Sequence, residues 1–430
     1  VHSVGYSERE NVPIEPRLSV QWWLKYPNVE EAKEAVASGK IKFYPERWSK
    51  VYNNWMANIQ DWCISRQVIW GQRIPVWYRK GADREDPANR HCSVDGPADK
   101  ENWEQESDVL DTWASSWIWQ LATMGWPDKA KMKASGFDRF YPTTTLVTAP
   151  EIIFFWVARM IVASLKFLPQ GSLESRVPFR NVYFTGTVRA KDGRKMSKSL
   201  GNGVDPIAMV QKYGADGARF GLMRNAPTGL DICFDEEMME LGRNFCTKLW
   251  NACRFRQMQG AERAEATFQS LLSQIDPSKL DAYDHWILSR LLETTSTVEK
   301  CLSQFEFSAM ANALYAFFWS DYCDWYVEAT KARLKDESQK SHILALQDIV
   351  LRQTLQLLNP IIPHITEELW SKMGFATQGG LIQTSKLVSS EALASAFAAL
   401  KLSPQASAFV AHLTELTAAA RNLKAERGMS

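Results

Sequence analysis

Before residue 234 the apolar positions of this chain come in short runs broken by polar loops, and after it they recur at helical spacing. Thr145-Leu146-Val147-Thr148 reads as a short buried strand, residues 152–168 as a mostly apolar helix, and Asn181-Val182-Tyr183-Phe184-Thr185 as a second strand. Strand, helix and strand at this spacing predict a βαβ unit, whose sheet is parallel and whose ligands sit beyond the carboxyl ends of its strands. Upstream, prolines keep residues 1–20 extended. Residues 28–38 predict a capped amphipathic helix closed by Gly39, and Ile41-Lys42-Phe43-Tyr44 a strand. Residues 48–61 predict a helix with Trp48, Tyr52, Trp55 and Ile59 on one face, packed against the sheet. Residues 81–106 are polar and aperiodic, which predicts a surface loop. Asp205-Pro206 marks an N-cap with proline in the first turn, opening a helix to about Tyr213. The helical half carries polar breaks at 261–279 and 334–340.

Directly after the βαβ pattern comes Gly193-Arg194-Lys195-Met196-Ser197-Lys198-Ser199-Leu200-Gly201-Asn202, which gathers two ammonium groups and two hydroxyls on a glycine-flanked loop. Lysines are mobile point charges, hydroxyls add hydrogen bonds, and flanking glycines let the backbone swing, so such a loop suits a polyphosphate. Taken alone it reads equally well as a solvated surface loop.

Composition narrows the rest. A chain of 430 residues with 45% hydrophobic content holds large cores and two or three domains. Lys+Arg (50) and Asp+Glu (49) nearly cancel, so contact with nucleic acid has to come from a local basic patch. Seven scattered cysteines, mostly in apolar helix-like stretches, read as reduced core residues of a cytoplasmic protein. With no C-x-x-C, no zinc knuckle and no metal site are expected. The longest apolar run, 152–158, is broken by Arg159 and is too short to cross a bilayer, so no membrane contact is expected. The sequence starts at Val1 without a basic start or an apolar h-region, and a fragment without a signal peptide is expected.

Lys195-Met196-Ser197-Lys198-Ser199 is letter for letter the signature loop of the class I aminoacyl-tRNA synthetases, and its neighbourhood resembles the valine-specific members of that family. The resemblance is carried by Asp61-Trp62-Cys63-Ile64-Ser65-Arg66-Gln67, Asp111-Thr112-Trp113-Ala114-Ser115-Ser116, the Ile153-Phe154-Phe155-Trp156-Val157-Ala158-Arg159 run, and helical blocks around 284–291, 320–328 and 359–370. It implies an α/β fold: the C-terminal half of a Rossmann-like parallel-sheet catalytic domain (1–235), then an all-α anticodon-binding bundle (236–385) and the start of a C-terminal extension (386–430). It implies activation of L-valine with ATP, accompanied by Mg2+, and transfer to tRNA(Val) by a full-length protein that is a monomer.

By that resemblance Lys195 and Lys198, with Ser197 and Ser199, stabilise charge on the departing pyrophosphate. Gly186 and Val188 flank the adenine, Gly186 allowing close approach. Trp113 and Ile152 wall the valine pocket, and Glu151 approaches the ribose or the amino group. The chain has Ala149-Pro150-Glu151 where the family more commonly has Gly-x-Asp, which weakens the case for Glu151. Arg66 and Arg73 are candidates for tRNA phosphate contact, with an ion pair to Asp61 as the plain alternative. His364, directly after Pro363 and beside an apolar face, is read as structural. None of the six histidines fits the His-x-Gly-His signature of the family's amino-terminal half, so this chain alone is expected to be inactive, and without the family's editing domain it is expected not to proofread. The competing readings are a catalytically inert tRNA-binding paralogue and a synthetase for another aliphatic amino acid, isoleucine first.

Overall fold

In a computed structural model, helix α1 (Val29–Ala37) leads into strand β1 (Lys42–Tyr44) and helix α2 (Arg47–Ala57). The structure describes all residues except 1–2, 8–9, 16, 198–200, 261–262, 378–379 and 428–430. The chain divides into two units, Val1–Phe184 and Thr185–Ser430.

In the first unit, strands β2 (Val76–Arg79), β3 (Arg90–Cys92) and β4 (Trp103–Gln105) form an antiparallel sheet with β2 in the middle. Two of these strands lie inside the stretch expected to be a loop. Three-residue strands are too short to show alternation, and tertiary contacts hold them: the Arg79 guanidinium lies over the Trp103 ring, and Trp77 Nε1 donates to the Ser93 carbonyl.

The predicted βαβ unit is present. Strand β5 (Thr143–Thr148) and strand β6 (Phe179–Phe184) pair in parallel, Thr145 against Asn181 and Leu146 against Val182. Between them lie a wide helical turn, Ile153–Val157, and helix α3 (Ala158–Phe167). β1 joins as a third parallel strand on the other edge of β6, Phe43 opposite Val182. The core beneath this sheet gathers Phe43, Tyr52, Val157, Ile161, Leu165, Val182 and Phe184, each no more than 3% exposed. Consecutive buried residues on β6 are what a parallel strand covered on both faces requires.

Two local expectations shift. Helix α2 stops at Ala57, so Ile59 packs on the core from beyond the helix; Tyr52 and Met56 are the buried face. Asn28, at the start of α1, makes no side-chain cap. Its φ is 54°, and its amide donates to the Leu165 carbonyl instead, tying α1 to α3.

In the second unit, β7 (Val188–Arg189), α4 (Pro206–Tyr213), α5 (Ala215–Arg224) and β8 (Ile232–Cys233) precede a long helix α6 (Glu236–Met258). Asp205 caps α4 as its sequence predicts, its carboxylate accepting from the Ile207 N–H. A bundle follows: α7 (Ala282–Ser303), α8 (Phe307–Ala316), α9 (Val327–Arg333), α10 (Glu337–Leu358), α11 (Pro363–Lys372), α12 (Ser390–Ala398) and α13 (Pro404–Glu426). Its core takes Phe245, Leu249, Trp286, Leu291, Phe317, Tyr322, Leu346 and Trp370. All seven cysteines are free thiols. Only Cys253 and Cys301 are buried, while Cys92 and Cys233 are exposed on short strands, because alternate positions of a strand face solvent.

Candidate functional site

In the first unit the site residues meet around Asp111. The strand Ser65–Arg66 pairs antiparallel with Val109–Leu110, which sets Asp111 beside Arg66 although 45 positions separate them. Asp111 is 7% exposed and N-caps the helix Thr112–Ser116, accepting from the Trp113 N–H. Its other oxygen accepts from Trp62 Nε1 at 3.0 Å and from Arg66 Nη2 at 2.9 Å, with Arg159 Nη1 3.8 Å away.

Arg159, from α3, is itself buried, lies 3.5 Å over the Trp62 ring and donates from Nε to the Tyr26 hydroxyl. Burial raises the Tyr26 pKa above the ordinary phenol value, against the lowering pull of Arg159. Tyr26, Trp55, Trp62, Trp113, Phe155, Arg66 and Arg159 thereby line a cavity of about 430 Å³, in the size range of small-molecule sites. Trp113 stacks on Phe155, ring centroids 5.8 Å apart.

The structure therefore brings Trp113 and Arg66 together. From residues 150–157 the described cavity wall takes Phe155; Ile152 is half-buried at the start of the wide turn, and Glu151 is exposed. Arg66 pairs with Asp111 and not with Asp61, because the strand pairing outweighs nearness in sequence. Arg73 donates from Nε and Nη2 to the Glu106 carbonyl and from Nη2 to the Gln105 carbonyl. Both arginines thus tie loops of their own unit together. Gln72 Oε1 accepts from the Ser115 hydroxyl at 2.9 Å. Tyr26, Trp62, Asp111, Phe155 and Arg159 were not singled out as site residues in the sequence; the signal that existed was that Trp62, Asp111, Phe155 and Arg159 stand inside the quoted blocks.

In the second unit the remaining site residues follow one another along a single edge. β7 pairs in parallel with β8, Val188 against Ile232. Asp231 accepts from the Thr187 N–H and from Arg189 Nε, and these hydrogen bonds hold its carboxyl below the usual range. A Cβ on Gly186 would stand 1.8 Å from the Leu230 carbonyl oxygen, so here the glycine admits the chain's own backbone.

After Arg189 the chain reverses through Ala190-Lys191-Asp192-Gly193, the Gly193 N–H donating to the Ala190 carbonyl and Gly193 taking φ 81°. Lys195 then bridges antiparallel to Arg189. Its ammonium-bearing side chain is exposed. Asn202 closes the loop, Oδ1 accepting from the Ser197 N–H and Nδ2 donating to the Lys195 carbonyl. Lys198 and Ser199 lie outside the described residues. His364 is exposed beside Trp250 and Arg243 on a cavity of the helical part.

Among the described residues no group of three His, Cys, Asp or Glu side chains comes together to hold a metal, and no helix is long and apolar enough to cross a membrane.

The family profile for class I tRNA synthetases (I, L, M and V) matches residues 4–235, and that for the anticodon-binding domain of tRNA ligase matches residues 284–430. Among curated relatives, the valine–tRNA ligase of Anoxybacillus flavithermus is 45% identical over 377 residues, which is 87% of this chain and 41% of the relative. That of Fusobacterium nucleatum is 41% identical over 451 aligned positions, 100% of this chain and 47% of the relative. The chain thus spans less than half the length of these two relatives. Among solved structures, methionyl-tRNA synthetase of Mycobacterium tuberculosis with methionyl-adenylate has a TM-score of 0.64 at 17% identity, covering 88% of this chain and 68% of that one. The Agrobacterium radiobacter LeuRS–tRNA–LeuAMS complex has a TM-score of 0.60 at 21% identity, covering 78% and 43%. These two likenesses are of fold alone. With its profile match running through the parallel sheet, the aromatic cavity and the lysine loop, the chain belongs to the class I tRNA synthetases of the I, L, M and V group.

Proposed function

We propose that this chain is the C-terminal part of the catalytic machinery, with the anticodon-binding bundle, of a valine–tRNA ligase. The observation that carries the reading is 45% identity over 87% of the chain to a protein of that name. In the proposed reaction the valine carboxylate oxygen attacks the α-phosphorus of ATP, the bond to the bridging oxygen breaks, and pyrophosphate leaves with the electron pair. A hydroxyl at the 3′ end of tRNA(Val) then attacks the carbonyl carbon of valyl-adenylate, the bond to the phosphate oxygen breaks, and AMP leaves.

The Lys195 ammonium, exposed on a backbone held at both sides, and Lys198 neutralise the charge that grows on the departing oxygens. Ser197 and Ser199 add hydrogen bonds from the same loop. Gly186 and Val188 form the edge along which the adenine lies, and Trp113, with Ile152, limits the amino-acid side chain. Glu151 reaches the ribose or the amino group, and Arg66 and Arg73 lie toward the acceptor end of the tRNA. Mg2+ would accompany the ATP and would supply further positive charge toward the departing pyrophosphate. Alone, the 430-residue chain is proposed to catalyse no adenylate formation, since it holds no His-x-Gly-His.

Valine-dependent ATP–pyrophosphate exchange by the full-length protein tests this reading. Lys198→Ala should slow the exchange by about 10²-fold with little change in the KM for valine. An unaltered rate would remove the loop from the mechanism.

A further inference from the structure

Asn202 stands at the exit of the lysine loop, and its side chain makes two bonds to the loop's entry: Oδ1 accepts from the Ser197 N–H at 2.9 Å and Nδ2 donates to the Lys195 carbonyl at 3.2 Å. An amide is suited to this because it carries a donor and an acceptor side by side, as a paired strand does; a carboxylate lacks the donor. On its other side Lys195 is bridged to Arg189, whose guanidinium is anchored on Asp231. The backbone of Lys195 is therefore gripped twice while its side chain stays exposed.

We infer that Asn202 is the positioning residue of this loop, fixing the backbone from which the Lys195 ammonium reaches the phosphoryl oxygens. The inference rests on the proposed ATP chemistry. A charge delivered from a fixed origin needs less reorganisation as the transition state forms, so losing the grip should appear in kcat and not in amino-acid binding.

The test is ATP–pyrophosphate exchange by the full-length protein and its Asn202→Ala, Lys195→Ala and doubly substituted variants. Removing two hydrogen bonds should lower kcat by about tenfold in Asn202→Ala, with the amino-acid KM and the thermal midpoint unchanged. The double variant should be no slower than Lys195→Ala, because Asn202 acts through that lysine. Strictly multiplicative effects, or a wild-type rate for Asn202→Ala where Lys195→Ala is slow, would overturn the inference alone. A lowered thermal midpoint with the loss spread over kcat and KM would leave Asn202 only a folding role and also overturn it. A wild-type rate for Lys195→Ala would instead mark failure of the underlying phosphate reading, and the inference would fall with it.

Discussion

Asp111 shows how one carboxylate can organise a cavity. It caps a helix, fixes the Trp62 indole and neutralises Arg66 with Arg159 close by, so the aromatic walls and the cations hold one another in place. Asp111→Ala would leave the Trp62 N–H and part of a buried cationic cluster without an acceptor. It should cost roughly 2–4 kcal/mol, discounted toward the low end because Arg66 is partly exposed. Asp111→Asn keeps the capping oxygen and should cost less. Urea unfolding of the three forms checks this, and equal midpoints would deny Asp111 the role. Of this site the sequence made Trp113 and Arg66 legible through their blocks, but not their connection. Asp61 lies nearer to Arg66 in sequence, and only the pairing of Ser65–Arg66 with Val109–Leu110 makes Asp111 the partner. The lysine loop was easier to read, because its chemistry is carried by consecutive residues; its closure by Asn202 was not, since an asparagine after glycine reads as an ordinary turn.

At the scale of elements, long contiguous patterns were legible and close crossings were not. The βαβ unit and the α4 cap stand where periodicity and turn chemistry put them, whereas β3 and β4 are too short to be seen. Helices α5 and α6 meet through Gly217, Gly221 and Gly242. A Cβ on Gly242 would lie 2.0 Å from the Gly217 carbonyl oxygen, and one on Gly221 2.2 Å from that of Met238. In sequence a helical glycine reads only as a weakness of about 1 kcal/mol, since the partner backbone is invisible there. Gly242→Ala should therefore reverse the usual gain of alanine in a helix and destabilise by roughly 1–3 kcal/mol, read as a lower thermal midpoint. A stabilised variant would contradict the crossing.

Helix α7 offers a second test. Asp284 is wholly buried, completes a capping box with Asp281, and accepts from the Tyr326 hydroxyl and Arg333. Burial alone would raise its pKa, but hydrogen bonds and the Arg333 charge overcome it and hold it at about 2. Asp281 is pushed the other way by its own burial and the Asp284 charge. With the folded pKa of Asp284 depressed, its contribution is complete above about pH 4 and is lost as pH falls toward the folded value. Denaturant midpoints followed across that range should drop in the wild type and change less in Asp284→Asn; parallel curves would show the network to be neutral.

At the scale of the whole molecule, two kinds of architecture stand along one chain. The parallel sheet with its aromatic cavity occurs in the first unit, while the lysine loop and the helical bundle occur in the second. Their family membership rests on matches over both parts. The proposed choice of amino acid rests on a narrower base, the role that resemblance gives Trp113 and the names of the relatives. It is therefore the claim most open to direct measurement: the full-length protein's ATP–pyrophosphate exchange with valine, isoleucine, leucine and methionine compared side by side. Valine should give the highest kcat/KM of the four, and a higher value for any of the others, or exchange that needs no amino acid, would contradict the account.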